Sequence, residues 1–205
     1  MSRSACMLAL LTVLAGCTGG QTTAPLPVPV PIVYAITNSP TAYYGDYTGP
    51  QRTSLLAVRA GGAFDATAQT IVLDAQMASP IFDGNTNYYV WGINRGNATN
   101  APFLHEPNVI FDAVVLVTAN PITSALSGVV NLLNGTPPQP ISATLLAPNT
   151  IEVSVPTGLL PPTKSGLTAA GFVWNLWPRS GVGGSATAQI ASFIPQNAMA
   201  PFIPR

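Results

Sequence analysis

The chain is 205 residues long and carries seven basic side chains, seven acidic ones and one histidine, so its formal net charge is zero. That balance leaves no electrostatic footprint for nucleic acid or anionic lipid, and two cysteines with one histidine are too few for a cysteine-ligated metal site. Charged residues are only 7% of the chain against ~25% in ordinary domains, yet the apolar residues come in regular strand-length clusters, which excludes a disordered chain.

At the start, Met1-Ser2-Arg3-Ser4 supplies one early positive charge, and Ala5 to Leu14 follows as an apolar run interrupted only by Thr12. This is the length of a secretory h-region, and it falls short of the ~20 apolar residues that span a bilayer. Small residues then lead into a cysteine whose thiolate can be alkylated. Leu14-Ala15-Gly16-Cys17 resembles the bacterial lipoprotein signal at each of its positions. The resemblance implies that residues 1–16 are a signal peptide, that Cys17 is lipidated by diacylglycerol, and that the new terminus is N-acylated after cleavage. Two or three acyl chains on one residue suffice for stable anchoring, so the first expected partner is the membrane. By the same resemblance, Thr18 stands where inner-membrane retention needs an aspartate, which implies an outer-membrane location in the cell envelope. Cys6 leaves with the signal and Cys17 is alkylated, so the mature chain is expected to fold without a disulfide.

Residues 17–31 form the anchor and a spacer. Pro25, Pro27, Pro29 and Pro31 alternate, which holds the backbone near polyproline II and lifts the rest of the chain by up to ~40 Å. From 32 to 205 the pattern is short apolar runs punctuated by Gly, Pro and Asn, with no sustained helical period. The expected fold is all-β: one antiparallel β-sandwich or jelly-roll-like domain of about ten strands.

The expected strands are Ile32 to Ile36, Ser54 to Ala60, Thr70 to Met77, Tyr88 to Asn94, Val109 to Thr118, Leu126 to Leu132, Ile141 to Leu146, Thr150 to Val155, Phe172 to Leu176 and Ala186 to Phe193. Ile71, Leu73, Ala75 and Met77 share one face of their strand, as do Ile151, Val153 and Val155. Val109 to Val117 is apolar on both faces apart from Asp112, which predicts a central strand covered on both sides. Asp112 is then the carboxylate expected to be buried, with Arg95 or Arg179 as its partner. The Ala147-Pro148-Asn149-Thr150 turn predicts a hairpin from Ile141 to Val155. The proline-rich tail after Ala191 is expected to strap a sheet edge.

Several stretches bear on function. Tyr43-Tyr44-Gly45-Asp46-Tyr47-Thr48-Gly49-Pro50, followed by Gly61-Gly62-Ala63-Phe64-Asp65, resembles the opening of the DOMON and glucodextranase C-terminal type of β-sandwich. The resemblance implies a sugar- or haem-binding sandwich, sometimes with bound calcium. It is confined to these two stretches, with Asp46 alone in place of the usual acidic pair, so no binding site is carried over from it. Tyrosines beside glycines can also stack on a sugar ring, or simply pack against the sheet edge.

Asp83, Asn85 and Asn87 put acid and amide oxygens at alternate positions, a spacing that can converge on Ca²⁺. The rest of an EF-hand loop is absent, because Tyr88 stands at the glycine position and no glutamate falls at the twelfth. A plain Asx turn is the expected structure, with no metal and no cofactor. His105 beside Glu106 lacks a nucleophile elbow and further ligands, so no catalytic residue is assigned and the chain is read as a non-enzyme. In Phe172-Val173-Trp174-Asn175-Leu176-Trp177, alternation puts Trp174 and Trp177 on opposite faces, one in the core and one nearer the surface. The leading expectation is a lipid-anchored, non-catalytic binding module for a glycan or other envelope polymer, with Tyr43, Tyr44, Tyr47, Trp91 and Trp177 as contacts. The alternative is a structural or assembly lipoprotein that binds another envelope protein. No nucleic-acid partner is expected.

Overall fold

The structure, a computed structural model, describes residues 35–38, 43–96, 106–182, 185 and 187–205. The chain divides into two compact units, Met1–Val30 and Pro31–Arg205, and every described residue belongs to the second. Cys17 with its signal, the Pro25 to Pro31 spacer and His105 lie outside the described residues. Among the described residues no helix is long and apolar enough to cross a membrane.

In chain order the strands are β1 (Ala35–Thr37), β2 (Ala57–Asp65), β3 (Thr70–Met77), β4 (Asn87–Asn94), β5 (Ala113–Asn120), β6 (Ala125–Leu132), β7 (Gln139–Ile141), β8 (Ala143–Ala147), β9 (Thr150–Pro156) and β10 (Val173–Arg179). Two short pieces follow, β11 (Ala200–Pro201) and β12 (Ile203–Pro204). They form two sheets, one in the order β1-β2-β3-β9-β8 and the other β11-β10-β4-β5-β6-β7. All pairings are antiparallel except β12, which joins β2 in parallel. The protein is therefore an all-β sandwich, as its apolar spacing predicts.

Alternation decides which side chains enter the core. Ile71, Leu73, Ala75 and Met77 of β3, with Ile151, Val153 and Val155 of β9, are almost wholly excluded from water. From the other sheet Trp91, Ile93, Val115, Val117, Trp174 and Leu176 meet them. Full burial of each such side chain contributes ~1.5–3 kcal/mol, which makes the interdigitated layer the main source of stability. Gly62 is a point of close approach between the sheets: a Cβ there would lie 2.4 Å from Trp174 Nε1.

The hairpins use short-range chemistry. Asp65 Oδ1 accepts the Thr67 and Ala68 N–H groups at 2.8 Å each, and Gln69 takes φ = 51° to close the β2–β3 turn. Asn120 repeats this device in the β5–β6 turn, with Ser124 at φ = 49°. Each side-chain oxygen stands in for a backbone carbonyl and so nucleates the turn. The predicted hairpin at Pro148-Asn149 joins β8 to β9, and the Asn149 amide donates to the Met77 carbonyl at 2.8 Å.

Three differences from the predicted strands matter. The run from Ile141 to Leu146 is broken at Ser142, where the chain leaves one sheet (β7) and enters the other (β8). The predicted strand from Ala186 to Phe193 is not formed over its described residues, 187–193: a 3₁₀ turn spans Thr187–Gln189, and isolated bridges join Ile190 to Arg179 and Ile194 to Leu176. With β11 these bridges line the free edge of β10, and β12 then lines β2, so the tail does cover sheet edges. Finally, β5 begins only at Ala113: the Asp112 backbone still donates to the Ile93 carbonyl and accepts from the Leu133 N–H, both at 3.0 Å, while its side chain is held by Arg95 and Thr163. The core face of β5 is sealed, whereas Val114, Leu116 and Thr118 on its other face are only half-buried.

Candidate functional site

Both ends of β4 are held by buried polar groups. At its C-terminal end the Arg95 N–H and Nε–H both donate to Asp112 Oδ1, at 3.1 and 3.0 Å, and the Thr163 hydroxyl donates to Oδ2 at 3.0 Å. Arg95 also donates to the Pro161 carbonyl at 2.8 Å. Of the two arginines suggested for Asp112, Arg95 is the partner. The ion pair joins the end of β4, the start of β5 and the loop after β9, and this is a structural clamp.

At the opposite end Asp83, Asn85 and Asn87, whose spacing could converge on Ca²⁺, meet protein donors. The Ser54 hydroxyl donates to Asp83 Oδ2, the Asn85 N–H to Oδ1 at 2.9 Å, and the Arg52 guanidinium lies 3.6 Å from Oδ1. Burial works against the charge on Asp83, but these donors together hold its carboxyl below the ordinary value. The Asn85 amide folds back onto Asp83, and Asn87, fully buried, donates to the Ile81 carbonyl at 3.0 Å. A carboxylate already neutralised by a guanidinium and by N–H and O–H donors is a poor cation ligand. Asp83 and Asn85 thus form the expected Asx turn, joined through Asp83 and Asn87 to a buried network, and among the described residues no group of three or more acidic, histidine or cysteine side chains could hold a metal.

The five aromatic residues expected to contact a ligand do not form one platform. Trp91 points between the sheets and is wholly buried, because position 91 falls on the core phase of β4. Trp177 lies on the outer face of its sheet but is 4% exposed. Its ring covers Gly92, where a Cβ would come within 2.4 Å, and it packs against Phe111 at 4.8 Å and Phe193 at 6.2 Å. Tyr44 joins this cluster edge-on to Phe193, at 4.8 Å. Tyr43 and Tyr47 stack on each other, 5.6 Å apart with rings 5° from parallel, so each has one face taken. The Tyr47 hydroxyl donates to the Pro50 carbonyl.

The concave surface lies beside this cluster. Cross-strand register places Trp177, Val90 and Leu116 in one row across β10, β4 and β5, on the face away from the core. Gly92, Val114 and Asn131 form the next row, and Arg179, Tyr88 and Thr118 flank the first row on its other side. Ile190, on the strap along β10, raises a wall. The result is a groove of about 280 Å³ with an apolar floor and polar ends. Such a composition, mostly apolar with a few placed polar groups, is that of small-ligand sites, though its size is at their lower limit. A larger hollow of about 520 Å³ lies at one end of the sandwich, walled by Phe64, Leu160, Pro161, Leu167 and Phe172, and has no charged lining.

Of the groove residues the sequence picks out Trp177 as a contact, and Arg179 only as a possible partner of Asp112. The two-sided apolar run through Val114 and Leu116 is the signal that points there, since half of it has to face away from the core. Its neighbours across the sheet become visible only with the register.

Two further carboxylates have unusual surroundings. Asp74 on β3 stands directly opposite Glu152 on β9, on the face away from the core. Burial raises the Asp74 carboxyl, Arg59 opposes the rise, and Glu152 adds to it. The folded protein thus holds this proton more readily than the unfolded chain. The charge costs stability above the folded value, and the cost fades as pH falls through the folded value toward the ordinary 3.8. Asp74→Asn is expected to stabilise the protein at pH 7 by up to about 1 kcal/mol, the scale of a like-charged cross-strand pair. The advantage should shrink toward pH 4 in urea titrations, and a variant less stable than wild type at pH 7 would refute it.

Glu106 is 2% exposed, and one of its carboxylate oxygens has no hydrogen-bond partner among the described residues. Burial raises this carboxyl, against the Asn197 N–H. Set beside known protein families, curated proteins and solved structures, the chain matches none.

Proposed function

We propose that the chain is a lipid-anchored, non-catalytic binding module of the bacterial cell envelope, attached through Cys17 at the outer membrane, and that it binds an elongated apolar ligand in the groove over Val90, Val114 and Leu116. One observation carries this reading: a groove with an apolar floor, in which Val114 and Leu116 are only half-buried, on the outer face of a sheet whose other face is already sealed in the core. A concave site of this composition, mostly apolar with a few placed polar groups, is suited to a small ligand. A glycan is less well supported as the ligand. The Trp177 ring is enclosed, Trp91 is internal, and the Tyr43 and Tyr47 rings stack on each other.

The test is titration of the full-length chain with Nile red. Saturable binding is expected, and Leu116→Gln should weaken it at least about tenfold, since a polar amide on the floor loses the transfer energy of the leucine. Leu116 is half-buried and packs against the Val90 and Trp177 cluster rather than between the sheets, so the variant should still fold at some cost in stability, and binding is compared where both proteins are folded. Equal binding by wild type and Leu116→Gln would sink the groove as the site. Anchoring is tested apart from this, because Cys17→Ser should release the protein from membranes or leave the precursor uncleaved.

An assembly role with another envelope protein also has an observation in its favour. The edge strand β8 has no charged residue, and Leu145 and Leu146 are 40% and 36% exposed. An edge of this kind accepts a further strand from a partner. Loss of a co-purifying envelope protein on Leu145→Lys would favour this role.

A further inference from the structure

The groove has a polarity that bears on its ligand, and this inference rests on the groove reading above. No carboxylate lines it, and its one charged side chain is Arg179. Among the described residues the guanidinium has no ion-pair partner, and its buried Nε has no hydrogen-bond partner. It is held in place all the same, with Cζ 5.2 Å from the centre of the Tyr88 ring that stands opposite it across β10 and β4. Cation–π contact of this kind orients a guanidinium without using its N–H donors. A fixed, partly desolvated fork with free donors is suited to a carboxylate.

The remaining lining sets the shape of the group that accompanies that carboxylate. From Arg179 the floor runs over Val90, Leu116 and Val114 to the amide of Asn131 on β6, three strands away. Strand spacing and rise make this a diagonal of roughly 20 Å between backbones, of which about 14 Å is left beyond the arginine side chain, roughly the length of a ten- to twelve-carbon chain. A sugar would need an open aromatic face, yet Arg179 lies over Tyr88 and the Trp177 ring is enclosed by Gly92, Phe111 and Phe193.

We propose that the groove binds a single-chain fatty carboxylate, its head on the Arg179 guanidinium and its chain lying across Val90 and Leu116 toward Asn131.

The experiment displaces Nile red from the full-length chain with dodecanoate, dodecanol and dodecylamine. Dodecanoate is expected to bind about tenfold or more tighter than dodecanol, as a charge-assisted bond to a guanidinium provides, and dodecylamine weakest. Arg179→Gln should erase the preference for dodecanoate and leave dodecanol unchanged, whereas Arg179→Lys should keep part of it. Leu116→Gln should weaken all three alike. Equal affinity for dodecanoate and dodecanol, or a preference that survives Arg179→Gln, overturns the fatty-carboxylate assignment while leaving the groove as an apolar site. Displacement by phosphatidylglycerol vesicles but not by dodecanoate also overturns it, in favour of docking on a bilayer. Nile red binding unchanged by Leu116→Gln removes the groove reading as well.

Discussion

Asp112→Ala should lower the stability of the protein by roughly 3 kcal/mol, the usual cost of removing one partner from a buried ion pair. Arg95 is 3% exposed, and its Nε–H and backbone N–H both depend on Asp112 Oδ1. Without the carboxylate a buried guanidinium keeps only its contacts to the Pro161 and Asp112 carbonyls. Thr163 also loses its acceptor, so the loop after β9 is freed from the start of β5. For a chain of this size the loss corresponds to a melting point lower by about 6–12 °C. Urea titration checks it, and a wild-type midpoint for Asp112→Ala would show that the pair contributes nothing. Asp112→Ala combined with Arg95→Met should recover part of the loss, because the stranded charge goes with the arginine.

The parts of the fold legible in the sequence are those where local pattern and tertiary demand coincide. β3 matches its predicted bounds because Ile71, Leu73, Ala75 and Met77 share one face at every second position, with Gln69 just before the strand and Ser79-Pro80 soon after it. The partition of Trp174 and Trp177 to opposite faces is equally local, set by the two-residue repeat of β10. The burial of Asp112 was legible as a charge inside an apolar run. Its joint hold on two partners was not, since that depends on Arg95 and Thr163, 17 and 51 residues away. The split at Ser142 and the bridges of Ile190 and Ile194 depend on which strand lies alongside, and composition carries no such information. The groove was hidden for the same reason: Val90, Leu116 and Arg179 lie far apart along the chain and become one surface only through the register of β10, β4 and β5.

Trp91 shows how far a residue's chemical type can mislead about its role, and its replacement separates the two readings. If Trp91 touched a ligand, Trp91→Ala would abolish binding and leave the fold nearly intact. From its place between the sheets the opposite is expected. Trp91→Ala should cost about 4 kcal/mol, as large-to-small changes at a buried tryptophan do, because the facing side chains of β3 and β9 cannot close the space. That corresponds to about 8–16 °C in melting point. Trp91→Phe should cost no more than about 2 kcal/mol. The indole Nε1 is buried without a hydrogen-bond partner among the described residues, so its removal sacrifices no bond and relieves a desolvated donor. The remaining cost is the smaller void left by the second ring. Groove binding measured with Nile red on folded Trp91→Phe should equal that of wild type, since Trp91 faces the core and Val90, its neighbour in sequence, faces the groove. An alanine variant as stable as wild type, or a phenylalanine variant that folds normally and no longer binds, would return Trp91 to the contact set.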